Sequence, residues 1–318
     1  MNVRKVCVGN LAYMVGLVAA LWGGCAQPQE SVADCSLRIA TGPVGKVYEQ
    51  MARDVGAVCG AAVKVCSVPS SGGLQNLDLM LANGAEVGFV QVDVLKEMAN
   101  GDENIKGLQV LMPLHTNLLH VLAADAGAKS AAGWPGWLAD KVVIRNFSEL
   151  KGFSVAAVGA AQLLGQMLDR QLGYGMRFVA ADNDEQALAL LREDRVQAVF
   201  TLGGWPLPTV SRLKAGHGIH LVQFNLEPRA PYLSNKRNYQ NLDAYNMNFL
   251  GVPNVLVTRP FKSGGSMAGK VAALQACLRN RLDELQEGRY HPAWKEIKDV
   301  EERYGLSGLA ARATTGSK

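Results

Sequence analysis

The chain has 318 residues, 48% of them apolar and 19% charged, with a net charge of +4. That is enough for two domains with real cores, in the ordinary balance of a globular protein. The 32 basic residues are spread without a dense run, which argues against a nucleic-acid partner.

Arg4 and Lys5 precede a mostly apolar stretch over residues 6–22, followed by Gly23-Gly24-Cys25-Ala26 and a polar exit. A positive start, a short apolar middle and small residues before a polar exit predict an export signal over residues 1–26. The stretch is slightly short for a membrane span, and no other segment approaches one. Arg4 and Lys5 supply two of the four net charges, so the rest of the chain carries +2. Cys25 after two glycines resembles the bacterial lipoprotein box, although Trp22 stands where that box usually has Leu. Cleavage after Ala26 fits as well. Both a free periplasmic protein and one lipid-anchored through Cys25 remain open. Beyond Cys25 come Cys35, Cys59, Cys66 and Cys277, an even number that predicts two disulfides in an exported chain, with three pairings possible.

From residue 37 the pattern alternates strand and helix. A strand at 37–41 leads through Gly42-Pro43-Val44-Gly45 to a helix with Val47, Met51, Val55 and Val58 at helical spacing. A strand at 63–68 leads through Pro69-Ser70-Ser71-Gly72-Gly73 to a helix with Leu74, Leu77 and Leu81, stopped by Asn83-Gly84. Strand 87–90 and helical segment 93–98 follow, then two strands, 108–112 and 120–124. An Ala/Gly-rich insert over 127–145 carries Trp134 and Trp137. The rhythm then restarts with strand 154–158, helix 162–172, strand 177–180, helix 185–191, strand 197–202, Gly203-Gly204-Trp205-Pro206 and strand 220–224. A polar, irregular stretch over 227–248 precedes strand 255–258 and one long helix carrying Val271, Leu274, Leu278, Leu282 and Leu285. Two such runs predict two open α/β sheets. Ligands bind at strand carboxyl ends in such sheets, and the bare corners 42–45, 69–73, 159–161 and 203–206 all lie there.

The Ser70–Gly73 corner reads either as a tight turn with a serine helix cap or as an anion-holding loop. Bare backbone at a helix start offers free N–H groups and partial positive charge. Catalytic chemistry is poorly represented. There is no GxSxG, no paired carboxylate and no phosphate-binding GxxxxGK[ST] motif; Ser70 or Ser71 with His115 is a candidate pair by position alone. Asp93 reads as a helix cap or a ligand contact. His217 and His220 have no carboxylate or third histidine close in sequence, so a solvated loop is preferred to a metal site. No cofactor and no metal are expected, and recognition is favoured over turnover.

Residues 41–48 are similar to the TGGxxGxYY opening of the TAXI family, the solute receptors associated with TRAP transporters. Residues 70–77 resemble that family's SxGSxxN corner, and 84–93 its GxADLALVQSD stretch. Residues 147–159 look like DLKGKxVAVG, 197–206 like DAFFxxxGxP, and 251–258 like VGVPNLLVT. The resemblance spans roughly residues 37 to 285 and rests on the order of six motifs. It implies a type II periplasmic-binding-protein fold, with two α/β lobes joined by two hinge strands. Lobe 1 would be discontinuous over 36–118 and 247–318, and lobe 2 would cover 119–246. It also implies a small ligand, commonly a carboxylate such as glutamate or a 2-oxoacid, and a membrane permease as partner to a monomeric receptor.

The residues expected at the ligand are Thr41, Gly42, Val44, Gly45, Tyr48, Ser70, Ser71, Gly72, Gly73, Asn76, Gln91 and His115 from the first lobe. Gly159, Ala160, Gln162, Gly204 and Trp205 are expected from the second. Asn76 reaches the ligand or braces its loop, and Tyr48 bonds the ligand or is structural. The second lobe departs from the family: where a GxPGSGT corner is usual, Val158-Gly159-Ala160-Ala161-Gln162 has lost the hydroxyl. That loss makes a less polar ligand plausible beside a carboxylate. A ligand-sensing subunit of a membrane receptor and an exported α/β hydrolase are the alternative readings.

Overall fold

The computed structural model describes residues 35–129 and 141–297. The export segment with Cys25, the middle of the insert with Trp134 and Trp137, and residues 298–318 lie outside the described residues.

The first repeat runs β1 (Leu37–Ala40), α1 (Val47–Cys59), β2 (Val65–Val68), α2 (Gly73–Leu81), β3 (Val87–Gln91), α3 (Val92–Ala99) and α4 (Glu103–Lys106). Next come β4 (Gln109–Ala124), β5 (Ala128–Lys129) and β6 (Lys141–Val142). The second repeat is β7 (Ser154–Val158), α5 (Ala160–Leu172), β8 (Arg177–Ala181), α6 (Asp184–Arg192), β9 (Ala198–Gly203), α7 (Pro208–Ser211) and β10 (Ile219–Val222). The chain returns through β11 (Leu233–Tyr239) and β12 (Ala244–Thr258) to α8 (Ser266–Asn280) and α9 (Leu282–Leu285).

Local chemistry sets these boundaries. Helix α1 buries Met51, Val55 and Val58 on one face, as its spacing requires. Helix α2 is followed by Asn83 at φ +60°, the left-handed stop that Asn tolerates. Helix α6 opens on Asn183, whose side-chain oxygen accepts from Gln186 N at 2.9 Å.

One hydrogen-bonded path links the strands in the order β2-β1-β3-β12-β4-β9-β7-β8, with β10 on β4 and β11 on β12. The order β2-β1-β3-β12-β4 is repeated as β8-β7-β9-β4-β10, with β4 taking in the second half the place of β12 in the first. Each lobe therefore borrows a long strand that also belongs to the other. This is the two-lobe type II periplasmic-binding-protein fold, with β4 and β12 as the hinge strands. Alternate residues of these strands face opposite sides of the sheet. On β12, Leu256 joins the α1 and α8 core while Val255 and Val257 join Leu77 and Met80 under α2. Further back, Val252 faces Phe147 and Phe200, and Phe249 faces Leu188 and Leu191.

Four sequence expectations are corrected. The strands expected at 108–112 and 120–124 are one strand, β4. Pro113 and the polar run His115-Thr116-Asn117 hide its continuity, because the partners that let these groups be buried include Asn254 on β12 and Glu296, both distant in sequence. The stretch 227–248, expected to be irregular, contains β11 and the start of β12, and the strand expected at 255–258 begins at Ala244. Strand β11 runs Ser234-Asn235-Lys236-Arg237-Asn238 at its centre and pairs through its backbone; no apolar alternation announces it. The single C-terminal helix breaks between Asn280 and Leu282.

The four cysteines pair as Cys35–Cys66 and Cys59–Cys277, with Cα separations of 5.8 and 5.9 Å. The second bond ties the end of α1 to α8, across 218 residues of chain. Nearby, Asp54 Oδ2 accepts from Trp294 Nε1 and from His291 N, each at 2.9 Å. The C-terminal segment is thereby pinned to the first lobe, with Trp294 fully buried.

The lobes also touch beside the hinge. Arg170 on α5 pairs with Glu97 on α3 at 2.5 Å. Asp93, at the start of α3, is buried, and burial pushes its carboxyl up to about 6. The Val94 N–H, donating to Asp93 Oδ1 at 2.8 Å, pulls it back only in part. A carboxyl whose folded pKa is raised stabilises the fold below its unfolded value near 4, and that contribution is lost as pH rises through 6. Asp93→Asn is therefore expected to raise stability by about 2–3 kcal/mol at pH 8, with the gain fading below pH 6. Urea denaturation at the two pH values checks this; a loss of stability at pH 8 would count against it.

Candidate functional site

A cavity of ≈ 400 Å³ lies between the lobes at the carboxyl ends of the strands. Its first wall is the pair of bare corners. The corners are hydrogen-bonded to each other, Ser70 N donating to Gly42 O at 3.3 Å. Ser70 Oγ donates to Asn76 Oδ1 at 2.6 Å and accepts from Gly72 N at 3.0 Å. Asn76 Nδ2 gives to Phe89 O at 2.7 Å and to Thr41 O. Gly72 takes φ +129°, which an L side chain rarely adopts, and so turns the chain into α2. The N–H groups of Gly73, Leu74 and Gln75 then open that helix with no carbonyl one turn behind them. A Cβ on Gly73 would run into Gln91 Oε1, so a larger residue there would displace the Gln91 side chain.

The floor is the hinge. Tyr48 from α1, His115 and Asn117 from β4, and Asn254 from β12 form one buried network. Asn117 Nδ2 donates to Asn254 Oδ1 at 3.2 Å, Asn254 Nδ2 donates to His115 O at 2.8 Å, and His115 Nε2 lies 3.1 Å from Asn117 Oδ1. Burial lowers the His115 ring to about 4, so it is neutral at physiological pH. Burial, with the Asp93 charge nearby, also pushes the Tyr48 hydroxyl well above its ordinary value. Gln91 is buried at the end of β3, and its Oε1 has no partner among the described residues.

The second wall starts at Gly159, φ +52°, from which α5 springs. Beside it stands Asp184 at the start of α6, accepting from Thr201 Oγ1 at 2.7 Å and from Thr209 Oγ1. Trp205, 40% exposed, is held by Nε1 donation to Asn238 O at 3.3 Å and by Arg237 5.5 Å above its ring. A Cβ on Gly204 would lie 3.6 Å from Val47 Cγ2, so the lobes meet there. The C-terminal segment supplies His291, Pro292, Ala293 and Glu296, the last accepting from Thr116 N at 3.1 Å.

Of the residues expected at the ligand, Gly42, Gly45, Tyr48, Ser71, Gly72, Gly73, Gln91, His115, Gly159, Ala160, Gly204 and Trp205 line this cavity. Thr41, Val44, Ser70, Asn76 and Gln162 do not. Thr41, Ser70 and Asn76 brace the corners instead, because their polar atoms are spent on one another and on main-chain oxygens. Val44 is 67% exposed. Asn117, Asp184, Thr201, His291 and Glu296 were missed. The first is inside a strand, the second is at the start of a helix, and the last two arrive from the C-terminal end, so no strand-end glycine marks them. Asp93 lies outside the lining, and His220, expected in a solvated loop, is hydrogen-bonded to Asp125 Oδ1 at 2.7 Å and Ile144 O at 2.8 Å. Among the described residues no three side chains form a metal-binding group.

The chain is similar to several solved proteins. An amino-acid transporter substrate-binding protein, AbpA from Streptococcus pneumoniae bound to L-arginine, is 11% identical, with 84% of this chain and 94% of that one covered and a TM-score of 0.48. An ancestral arginine-binding protein bound to arginine is 14% identical, covering 84% and 97% with a TM-score of 0.49. The periplasmic VFT2 domain of BvgS from Bordetella pertussis is 13% identical, covering 84% and 92% with a TM-score of 0.46. The family model that matches covers residues 39–261, from β1 through both lobes to just past β12. The chain belongs to the NMT1-like family.

Proposed function

We propose that this chain is an exported solute receptor that captures a small molecule between its lobes and hands it, unaltered, to a membrane transporter. The observation that carries this reading is the cavity at the strand ends, walled by main-chain corners of both lobes and floored by the strands that join them. Closure on a ligand is an equilibrium between lobe arrangements, biased by contacts made only when both walls reach the guest. The six ordered motifs shared with TAXI receptors support a TRAP-type permease as the partner, with the receptor acting as a monomer in the periplasm. The apolar walls, among them Pro43, Val158, Leu202, Leu207 and Pro292, support a ligand with substantial apolar surface. Hydrolysis through Ser70 is not supported, because its Oγ is committed to Asn76 and His115 Nε2 to Asn117.

Ser71 N donates to Gln75 Oε1 at 2.6 Å, the bond that sets the entry to α2. Ser71→Pro removes that donor and should weaken ligand binding at least ten-fold in calorimetry, whereas Lys151→Ala, on the exposed surface of lobe 2, should leave affinity unchanged. Equal effects would remove this corner from the site.

A further inference from the structure

The hydrogens on the cavity floor can be assigned one after another. Asn254 Nδ2 donates to the main-chain carbonyl of His115, which makes Asn254 Oδ1 an acceptor. Tyr48 OH and Asn117 Nδ2 both give to that oxygen. Asn117 Oδ1 is then an acceptor too, and its partner His115 Nε2 must carry the ring proton. A neutral ring protonated at Nε2 leaves Nδ1 as a bare lone pair, and this atom has no partner among the described residues. Gln91 Oε1 is a second buried acceptor in the same state. Both side chains are at least nine-tenths buried and both line the cavity.

The charges point the same way. The opposite wall presents the Asp184 carboxylate, and the C-terminal segment brings Glu296. Among the described lining residues there is no arginine, and Lys46, on the exposed rim, is the one lysine. The start of α2, which would greet an anion, is faced instead by Gln91 Oε1. A buried acceptor is satisfied by a donor and disfavours a carboxylate, which brings only further acceptors.

Resting on the capture reading above, we infer that the cargo is a small amine on a largely apolar skeleton. Its N–H groups are received at the floor by Gln91 Oε1 and His115 Nδ1, and its positive charge is balanced by Asp184. Apolar walls with few, directed polar groups suit such a molecule, and an ammonium keeps three donors for the acceptors it meets.

The test is a thermal-shift screen of the full chain against a panel of small metabolites grouped as amines, neutral molecules and carboxylates, followed by calorimetry of the strongest. Stabilisation by amines is expected. Gln91→Met should weaken the best amine ten- to a hundred-fold, and Gln91→Glu should hold or strengthen it. For a zwitterionic hit, amidation of its carboxyl group decides: unchanged affinity supports the inference, and a ten-fold loss overturns it. Stabilisation confined to carboxylates or to neutral molecules, or weaker amine binding by Gln91→Glu with unchanged circular dichroism, overturns the amine assignment and leaves capture standing. No stabilisation by any class overturns both.

Discussion

Between pH 6.5 and 5 the folded chain is expected to lose about 2 kcal/mol of stability, and the loss should trace to two histidines. His115 and His120 are both buried, and burial lowers each ring to about 4 from the 6.5 of an exposed imidazole. His120 lies with Nε2 2.8 Å from the Tyr239 hydroxyl. A group whose folded pKa is depressed contributes stability that is present above its unfolded value and is lost as pH falls toward the folded one. By pH 5 each ring accounts for a loss of about 1.6 kcal/mol. Asp93 acts in the opposite sense, because its carboxyl is raised to about 6, and returns about 1 kcal/mol over the same interval. Urea unfolding of the wild type and of a His115→Gln/His120→Gln variant at the two pH values separates these contributions. The wild type should weaken on acidification, while the double variant should hold steady or strengthen as Asp93 takes up its proton. A wild type as stable at pH 5 as at pH 6.5 would show that these rings are not held in an apolar interior.

Breaking the Cys59–Cys277 bond should cost about 2–5 kcal/mol, which for a chain of this size lowers the melting temperature by roughly 3–8 °C. The bond closes a loop of 218 residues, so it removes more freedom from the unfolded chain than Cys35–Cys66, which closes one of 31. Position reinforces the difference. Cys59 is fully buried in the first-lobe core, beside Leu278 and Trp294, and it holds α8 against α1. Loosening that contact also loosens His291 to Glu296, a segment that reaches the cavity from the same side. Scanning calorimetry of Cys59→Ser/Cys277→Ser beside Cys35→Ser/Cys66→Ser compares the two. The first variant should melt lower and bind more weakly; the second should lose less stability and keep its affinity. Equal melting temperatures with and without reductant would mean that the bonds add nothing to the fold.

The first lobe was legible because its polar and apolar residues alternate on the periods that helices and strands impose. Met51, Val55 and Val58 announce α1, and Val87 to Val90 announce a buried strand. The bare corners were legible too, since glycine and serine at a strand end have few other uses. Strand β11 and the middle of β4 were not. Their backbone pairing is real, but Ser234 to Asn238 and His115 to Asn117 carry the side chains of a loop. Of the residues expected at the ligand, Thr41, Ser70 and Asn76 instead spend their polar atoms on the wall, and Val44 faces solvent.

What the amino-acid order settled alone was the two-run α/β plan and the placing of bare main chain at strand ends, since both depend on neighbours within a few residues, together with the presence of two disulfides, which follows from an even count of four cysteines in a chain read as exported. Which cysteines pair, that β4 and β12 serve both lobes, and that Asn254, His115 and Asn117 lock together under a cavity shared with Asp184 and Glu296 were decided only in three dimensions. Those groups lie up to 218 residues apart. A buried hydrogen bond has no period along the chain, and its partners are named only by the fold that removes them from water.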